Sequence, residues 1–209
     1  MKKIGIVDYG VGNIRSITNA LSKFDCQIIL TDSKNEILSC DGIILPGVGA
    51  FKHAMTRLKD KKLDLYLKYY VDTNKPFLGI CLGMQMLFEE SDEFGLTDGL
   101  GFIKGKVKKF NNEENIKLPY IAWSEIFKDH EKTWHNTILK GLENNTDMYH
   151  VHSYYASPKN KNNILSYSMY NKFKYCSTVK KNNIYGCQYH PEKSAHCGLE
   201  IIKNFIKLT

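Results

Sequence analysis

The sequence predicts an α/β fold with a mostly parallel central sheet, helices on both faces, and antiparallel strands added in the C-terminal half. In the first half, short apolar runs alternate with stretches of helical periodicity, as strand-helix-strand units do. In the second half the runs are short, β-branched or aromatic, and separated by Asn/Lys turns, as antiparallel strands are. With 209 residues and 43% hydrophobic content, the chain can build one sizeable core and not two comfortable ones. Residues 1–209 are therefore expected to form a single domain.

The elements follow in order. "KKIGIVDYG" is a buried strand, and "NIRSITNALSKF" an amphipathic helix starting after Asn13. "DGIILPGVG" is another strand ending in a turn, Ala50 to Thr73 is helical, and "PFLGI" is the next strand. "MYHVHSYYAS", "NILSYSMY", "KYCSTVKK" and "NIYGCQYH" read as antiparallel additions to the same sheet. "AHCGLEIIKNFIKL" closes the domain as a helix, and "FNNEENIK" and "PKNKNN" are exposed loops. There is no internal repeat.

Composition narrows the function classes. The net charge of +7 comes from lysines scattered through polar segments such as "DKKLDLYLK" and "SPKNKNNI", and Arg15 and Arg57 are the only arginines. No basic helix or RNA-binding signature is present, so no nucleic-acid partner is expected. The charge reads as a solvated surface that can also attract an anionic substrate or partner face. No apolar run approaches the roughly 20 residues of a membrane span, and Met1-Lys2-Lys3 leads straight into a strand, so a cytoplasmic protein without membrane association is expected. Cys26, Cys40, Cys81, Cys176, Cys187 and Cys197 show no CxxC pairing. Reduced thiols and no metal site are expected.

The chemistry starts at "PFLGICLGMQMLFEE". Gly79-Ile80-Cys81-Leu82-Gly83 is a nucleophile elbow, a strand-to-helix turn whose glycines stand where a β-carbon would collide. The turn lifts Cys81 above the carboxyl ends of the strands, and the following helix start favours thiolate. The competing reading of Cys81 is a small buried hydrophobe, and a base is needed to decide against it. "YGCQYHPEKS" supplies a candidate: His190 can accept the thiol proton and return it to a leaving group, and Glu192 can fix the imidazole tautomer. On an extended backbone residues 190 and 192 point the same way. Taken alone, His-Pro-Glu is an ordinary surface turn. In "LPGVGAF", glycines after a strand let backbone N–H groups turn towards a ligand, where with the N–H of Leu82 they could hold an oxyanion; the competing reading is a tight turn before a helix.

Together, "LPGVGAF", "PFLGICLGMQMLFEES" and "QYHPEKS" resemble the class I (triad) glutamine amidotransferases. "DYGVGNIRSI", "GLGFIKGKV" and "VHSYYA" narrow the resemblance to the HisH glutaminase subunits of imidazole glycerol phosphate synthase. The resemblance runs from about Ile4 to Phe205. It implies a flavodoxin-like sheet and a triad of Cys81, His190 and Glu192, with the oxyanion hole at Gly49 and Leu82. Glutamine is expected at Gln85, His152, Ser153 and Tyr154, and a partner interface at Asn13, Pro119 and Lys193. The implied reaction hydrolyses L-glutamine through a γ-glutamyl thioester without a cofactor. Its ammonia passes to the (β/α)₈ cyclase subunit HisF, which makes imidazole glycerol phosphate and an aminoimidazole carboxamide ribotide in histidine biosynthesis.

One segment departs from the family. Many members read Pro-His-Met-Gly-Trp-Asn where this chain has Pro119-Tyr120-Ile121-Ala122-Trp123-Ser124. The departure bears on the partner and not on the triad. A second reading is thus a HisH-like paralogue supplying ammonia to a synthase that amidates a surface or flagellar sugar. A third is a non-catalytic scaffold, against which the complete triad argues. A cysteine hydrolase acting on another γ-glutamyl compound is a fourth.

Overall fold

The computed structural model describes residues 1–110, 117–129 and 133–209. Residues 111–116 of the expected loop "FNNEENIK" lie outside the described residues. The first half contains β1 (Lys2–Val7), α1 (Ile14–Leu21), β2 (Cys26–Thr31), α2 (Lys34–Ser39), β3 (Gly42–Leu45), α3 (Phe51–Asp60), α4 (Leu63–Asp72), β4 (Phe77–Ile80) and α5 (Leu82–Met86). There follow β5 (Phe88–Ser91), β6 (Thr97–Asp98), β7 (Ile103–Lys109), β8 (Tyr120–Ile126), β9 (Thr146–His152), β10 (Tyr154–Pro158), β11 (Ile164–Tyr170), β12 (Phe173–Lys181), β13 (Ile184–Cys187) and α6 (Ala195–Leu208).

An 11-stranded sheet runs β2-β1-β3-β4-β13-β12-β10-β7-β5-β6, with β11 paired to β12. Strands β2, β1, β3, β4 and β13 are mutually parallel neighbours. Alternating strand residues feed a core on each face, as the two-residue period of a strand requires. Ile4, Ile6, Ile44, Leu78 and Ile80 pack with Ile17 and Leu21 of α1 and with Ile201, Ile202 and Phe205 of α6. Ile43, Leu45 and Phe77 pack on the other face with Ile37, Leu58, Leu67 and Tyr70 of α2, α3 and α4. Each of these fully buried side chains contributes about 1.5–3 kcal/mol relative to exposure. No helix among the described residues is long and apolar enough to cross a membrane.

The structure refines the sequence reading in four places. Strand β2, helix α2 and strands β5 to β8 are absent from the sequence reading; β2 carries the apolar run Ile28-Ile29-Leu30 but is an edge strand of mixed exposure, and β6 spans only 2 residues. Ala50 to Thr73 is not one helical stretch, because Lys62 at φ 56° turns left-handed and re-aims the chain into α4. "MYHVHSYYAS" divides at Ser153: β9 pairs only with β8, in a separate 2-stranded sheet, and β10 joins the main sheet. Finally, β13 is antiparallel to β12 but parallel to β4. That last pairing builds the site.

Candidate active site

Cys81 follows β4 directly, at φ 55° and ψ −111°, a conformation costly for a non-glycine residue. The glycines around it are steric requirements. A Cβ on Gly79 would stand 2.6 Å from Gly83 O and 2.8 Å from Met84 N, and one on Gly83 would collide with the Leu45 carbonyl. Helix α5 spans only 5 residues, so it offers Cys81 free N–H groups rather than a long macrodipole.

Because β13 lies parallel to β4 with Ile80 opposite Cys187, both strands end at one level, and Cys81 N–H donates to Cys187 O at 2.7 Å. His190, three residues beyond β13, is thereby delivered to the side of Cys81. Its Nδ1 bonds Glu192 Oε1 at 2.8 Å, and both side chains are buried. Glu192 sits in the 3-10 turn Pro191–Lys193 and not on an extended backbone, so the turn, rather than strand alternation, brings it back to His190. Nε2 of His190 makes no hydrogen bond of its own in the resting structure. Burial works against the imidazolium, but interaction with the nearby Cys81 sulfur, reinforced by the bond to Glu192 and its charge, outweighs it and pushes the His190 pKa up to about 10.

A cavity of about 270 Å³ opens over the sulfur. Of the residues singled out from sequence, Gly49, Cys81, Leu82, Gln85, Pro119, His152, Ser153, Tyr154 and His190 line it. Glu192 stands behind His190. Asn13 and Lys193 lie outside, and Pro119, expected at the outer interface, contributes to the cavity wall. The His152–Tyr154 run is tied in through the backbone: Tyr154 O accepts both Gln85 Nε2–H at 3.0 Å and His152 Nδ1–H at 2.9 Å. Burial, opposed by that carbonyl bond and assisted by the charge of His190, pushes His152 down to about 3. It is a neutral acceptor at the cavity wall.

Two participants escaped the sequence reading. Gln188 accepts from Gln85 Nε2 at 3.1 Å and donates to Cys81 Sγ at 3.9 Å. It directly follows the last residue of β13, two residues before His190. Glu93 also lines the cavity, brought there from the turn after β5, and nothing local in "SDEFG" marks it.

Residues 5–208 match the family model described as glutamine amidotransferase class-I. The chain belongs to the class-I glutamine amidotransferase family. This amidotransferase is 41% identical over 207 residues to the imidazole glycerol phosphate synthase subunit HisH of Prochlorococcus marinus subsp. pastoris, covering 99% of this chain and 98% of the relative. It is 45% identical to the HisH subunit of Methanocaldococcus jannaschii, covering 98% of this chain and 99% of the relative. Among solved structures, PurLQS from Thermotoga maritima superposes with a TM-score of 0.73 at 18% identity, covering 99% of each chain. A further glutamine amidotransferase gives 0.72 at 14% identity, covering 98% of this chain and 97% of that one. These two show the common fold.

Proposed function

We propose that this amidotransferase is the glutaminase subunit of an imidazole glycerol phosphate synthase, with residues 1–209 acting as one cytoplasmic domain. The observation that carries the reading is the convergence of Cys81 and a Glu192-bonded His190 on one small cavity, in a chain matched along its whole length by HisH subunits.

The Cys81 thiolate attacks the side-chain amide carbon of L-glutamine. The tetrahedral oxyanion is held by Leu82 N–H and by the backbone of the Gly47–Ala50 loop around Gly49. His190 protonates the leaving nitrogen from Nε2 while Glu192 keeps the proton on Nδ1, and ammonia departs. His190, now neutral, takes a proton from water, which attacks the γ-glutamyl thioester and releases glutamate. Gln85 and the His152–Ser153–Tyr154 run shape the glutamine pocket, and the Glu93 carboxylate suits the α-ammonium of an amino acid. All reacting groups are protein side chains and backbone, so no cofactor enters.

The partner is the cyclase subunit HisF, which consumes the ammonia. The docking face is assigned to β8 and its surroundings, where Ile121 and Trp123 are 59% and 53% exposed. Trp123 packs on Tyr149, and Lys193 Nζ stands 5.7 Å from the Tyr149 ring, so an apolar and cationic surface lies beside the triad turn. Asn13, ahead of α1, belongs to the same assignment.

The test is glutamate release by the purified chain, alone and with the cyclase and its ribulosyl-phosphate ligand. Cyclase stimulation that disappears in Cys81→Ala is expected. Hydrolysis by Cys81→Ala near the parent rate would remove the nucleophile assignment. No stimulation, from a cyclase competent on free ammonia, would assign the "PYIAWS" face to another synthase.

A further inference from the structure

The loop between β3 and α3 is held at its two ends and little in between. At its start, the hydroxyl of fully buried Tyr9 donates to Pro46 O at 2.8 Å. At its end, Phe51 N–H donates to Glu93 Oε2 at 2.6 Å. Gly47 packs on Leu82 and on the N–H of Gly83, but Val48 is 40% exposed, and Gly49, at φ +87°, has open space where a Cβ would stand. The direction in which the middle of the loop presents its N–H groups is therefore set by the ends. Helix α3 has Ala50 at its N-cap, which has no side chain to cap with. A carboxylate 42 residues further along the chain does that work instead.

We infer that Glu93 is a positioning residue for the oxyanion loop: by accepting Phe51 N–H it fixes the backbone through Val48 and Gly49 that faces the reacting carbonyl. This inference rests on the glutaminase reading. A charged acceptor is suited to the task, since such bonds are about twice as strong as neutral ones. The turn that carries Glu93 is itself anchored, with Glu93 N–H donating to the oxygen of fully buried Ser91 at 3.2 Å. Burial raises the Glu93 pKa, the Phe51 bond lowers it, and neighbouring Asp92 raises it further, leaving it above the usual glutamate value. With Oε2 engaged, Oε1 is left as an acceptor for the cavity that Glu93 lines. One carboxylate thus joins the seating of substrate to the geometry of the oxyanion donors.

The experiment compares the parent with Glu93→Ala and Glu93→Gln in complex with the cyclase, reading kcat and KM separately, and follows exchange of the Phe51 amide in the isolated ¹⁵N-labelled chain. Misplacing a catalytic group by an ångström costs about 100-fold, so a partial release of the loop predicts a fall in kcat of about tenfold in Glu93→Ala. Glu93→Gln keeps an acceptor oxygen and should stay within about threefold of the parent kcat while KM rises from the lost charge. Phe51 exchange should accelerate about tenfold in Glu93→Ala, with exchange in β1 and β3 unchanged. A parent kcat in Glu93→Ala with only KM raised, or unaltered Phe51 exchange, would overturn the inference and leave the glutaminase reading standing. An inactive parent complex would strike the glutaminase reading and the oxyanion role with it, and Phe51 exchange, which needs no turnover, would tell that failure from a failure of Glu93 to hold the loop.

Discussion

Gly79→Ala puts the elbow to a direct test. Gly79 is not in the left-handed region, so alanine brings no backbone strain; its whole effect is the added carbon. That carbon would lie 2.6 Å from Gly83 O, 2.7 Å from Gly83 C and 2.8 Å from Met84 N. Ordinary contact needs about 3.5 Å, so the first turn of α5 must move away by roughly 0.9 Å. No flexible side chain among these neighbours can yield instead. Overpacking of this kind costs about 1–3 kcal/mol, which in a chain of this size lowers Tm by about 4–8 °C for the middle of that range. The same movement carries Leu82 N–H away from the oxyanion, and at about 100-fold per ångström kcat should fall by about 30- to 100-fold. Thermal melting by circular dichroism and glutamate release with the cyclase present read the two effects. A variant with the parent Tm and a kcat within twofold of the parent would refute the steric account of the G-x-C-x-G pattern.

Glu192→Gln removes the charge that supports the imidazolium at His190 Nδ1. The His190 proton resonance should titrate near 10 in the parent and clearly lower in the variant, with kcat reduced about 10²- to 10⁴-fold; an unshifted midpoint would refute the role of Glu192. Because the folded pKa of about 10 exceeds the unfolded 6.5, this group's stabilisation is full below pH 6.5 and is lost as pH rises towards 10, so denaturant melts of Glu192→Gln should weaken less across that window. His150 and His152 act in the opposite direction. Burial lowers both, His150 well below 6.5 and His152 to about 3, so the unfolded chain binds protons that the folded one refuses, and stability falls as pH drops below 6.5. Each group adds a slope of about 1.4 kcal/mol per pH unit. His150→Phe, which removes a buried Nε2 without a partner, should make the acid limb shallower by about that slope; an unchanged limb would contradict the buried, neutral state of His150.

Local sterics and periodicity were legible in the chain because each acts over a few residues. The glycines at 79 and 83 bracket a cysteine at a strand-to-helix turn, and no packing information is needed to see that a β-carbon has no room there. The closing helix matched its pattern from Ala195 to Leu208, since four turns of apolar spacing admit one burial face. His-Pro-Glu offered an imidazole and a carboxylate, and the two are bonded, although the turn that joins them is helical and not extended.

The remainder was decided by pairing across long separations, which no local pattern encodes. Nothing in "NIYGC" says that it lies beside "PFLGI" rather than at a sheet edge, yet that parallel register places His190 against Cys81. "MYHVHSYYAS" looks continuous, but its first half leaves the main sheet to pair with β8, which buries His150 and His152 and turns Ile121 and Trp123 outward. Glu93 reaches the loop after β3 only because β5 and β6 carry it to the start of α3. A single sequence therefore determined which residues have the chemistry of a thiol glutaminase, since reactivity and backbone crowding are properties of side chains and their immediate neighbours. The tertiary structure alone decided which of them meet, because strand order and register follow from burying both faces of the sheet at once.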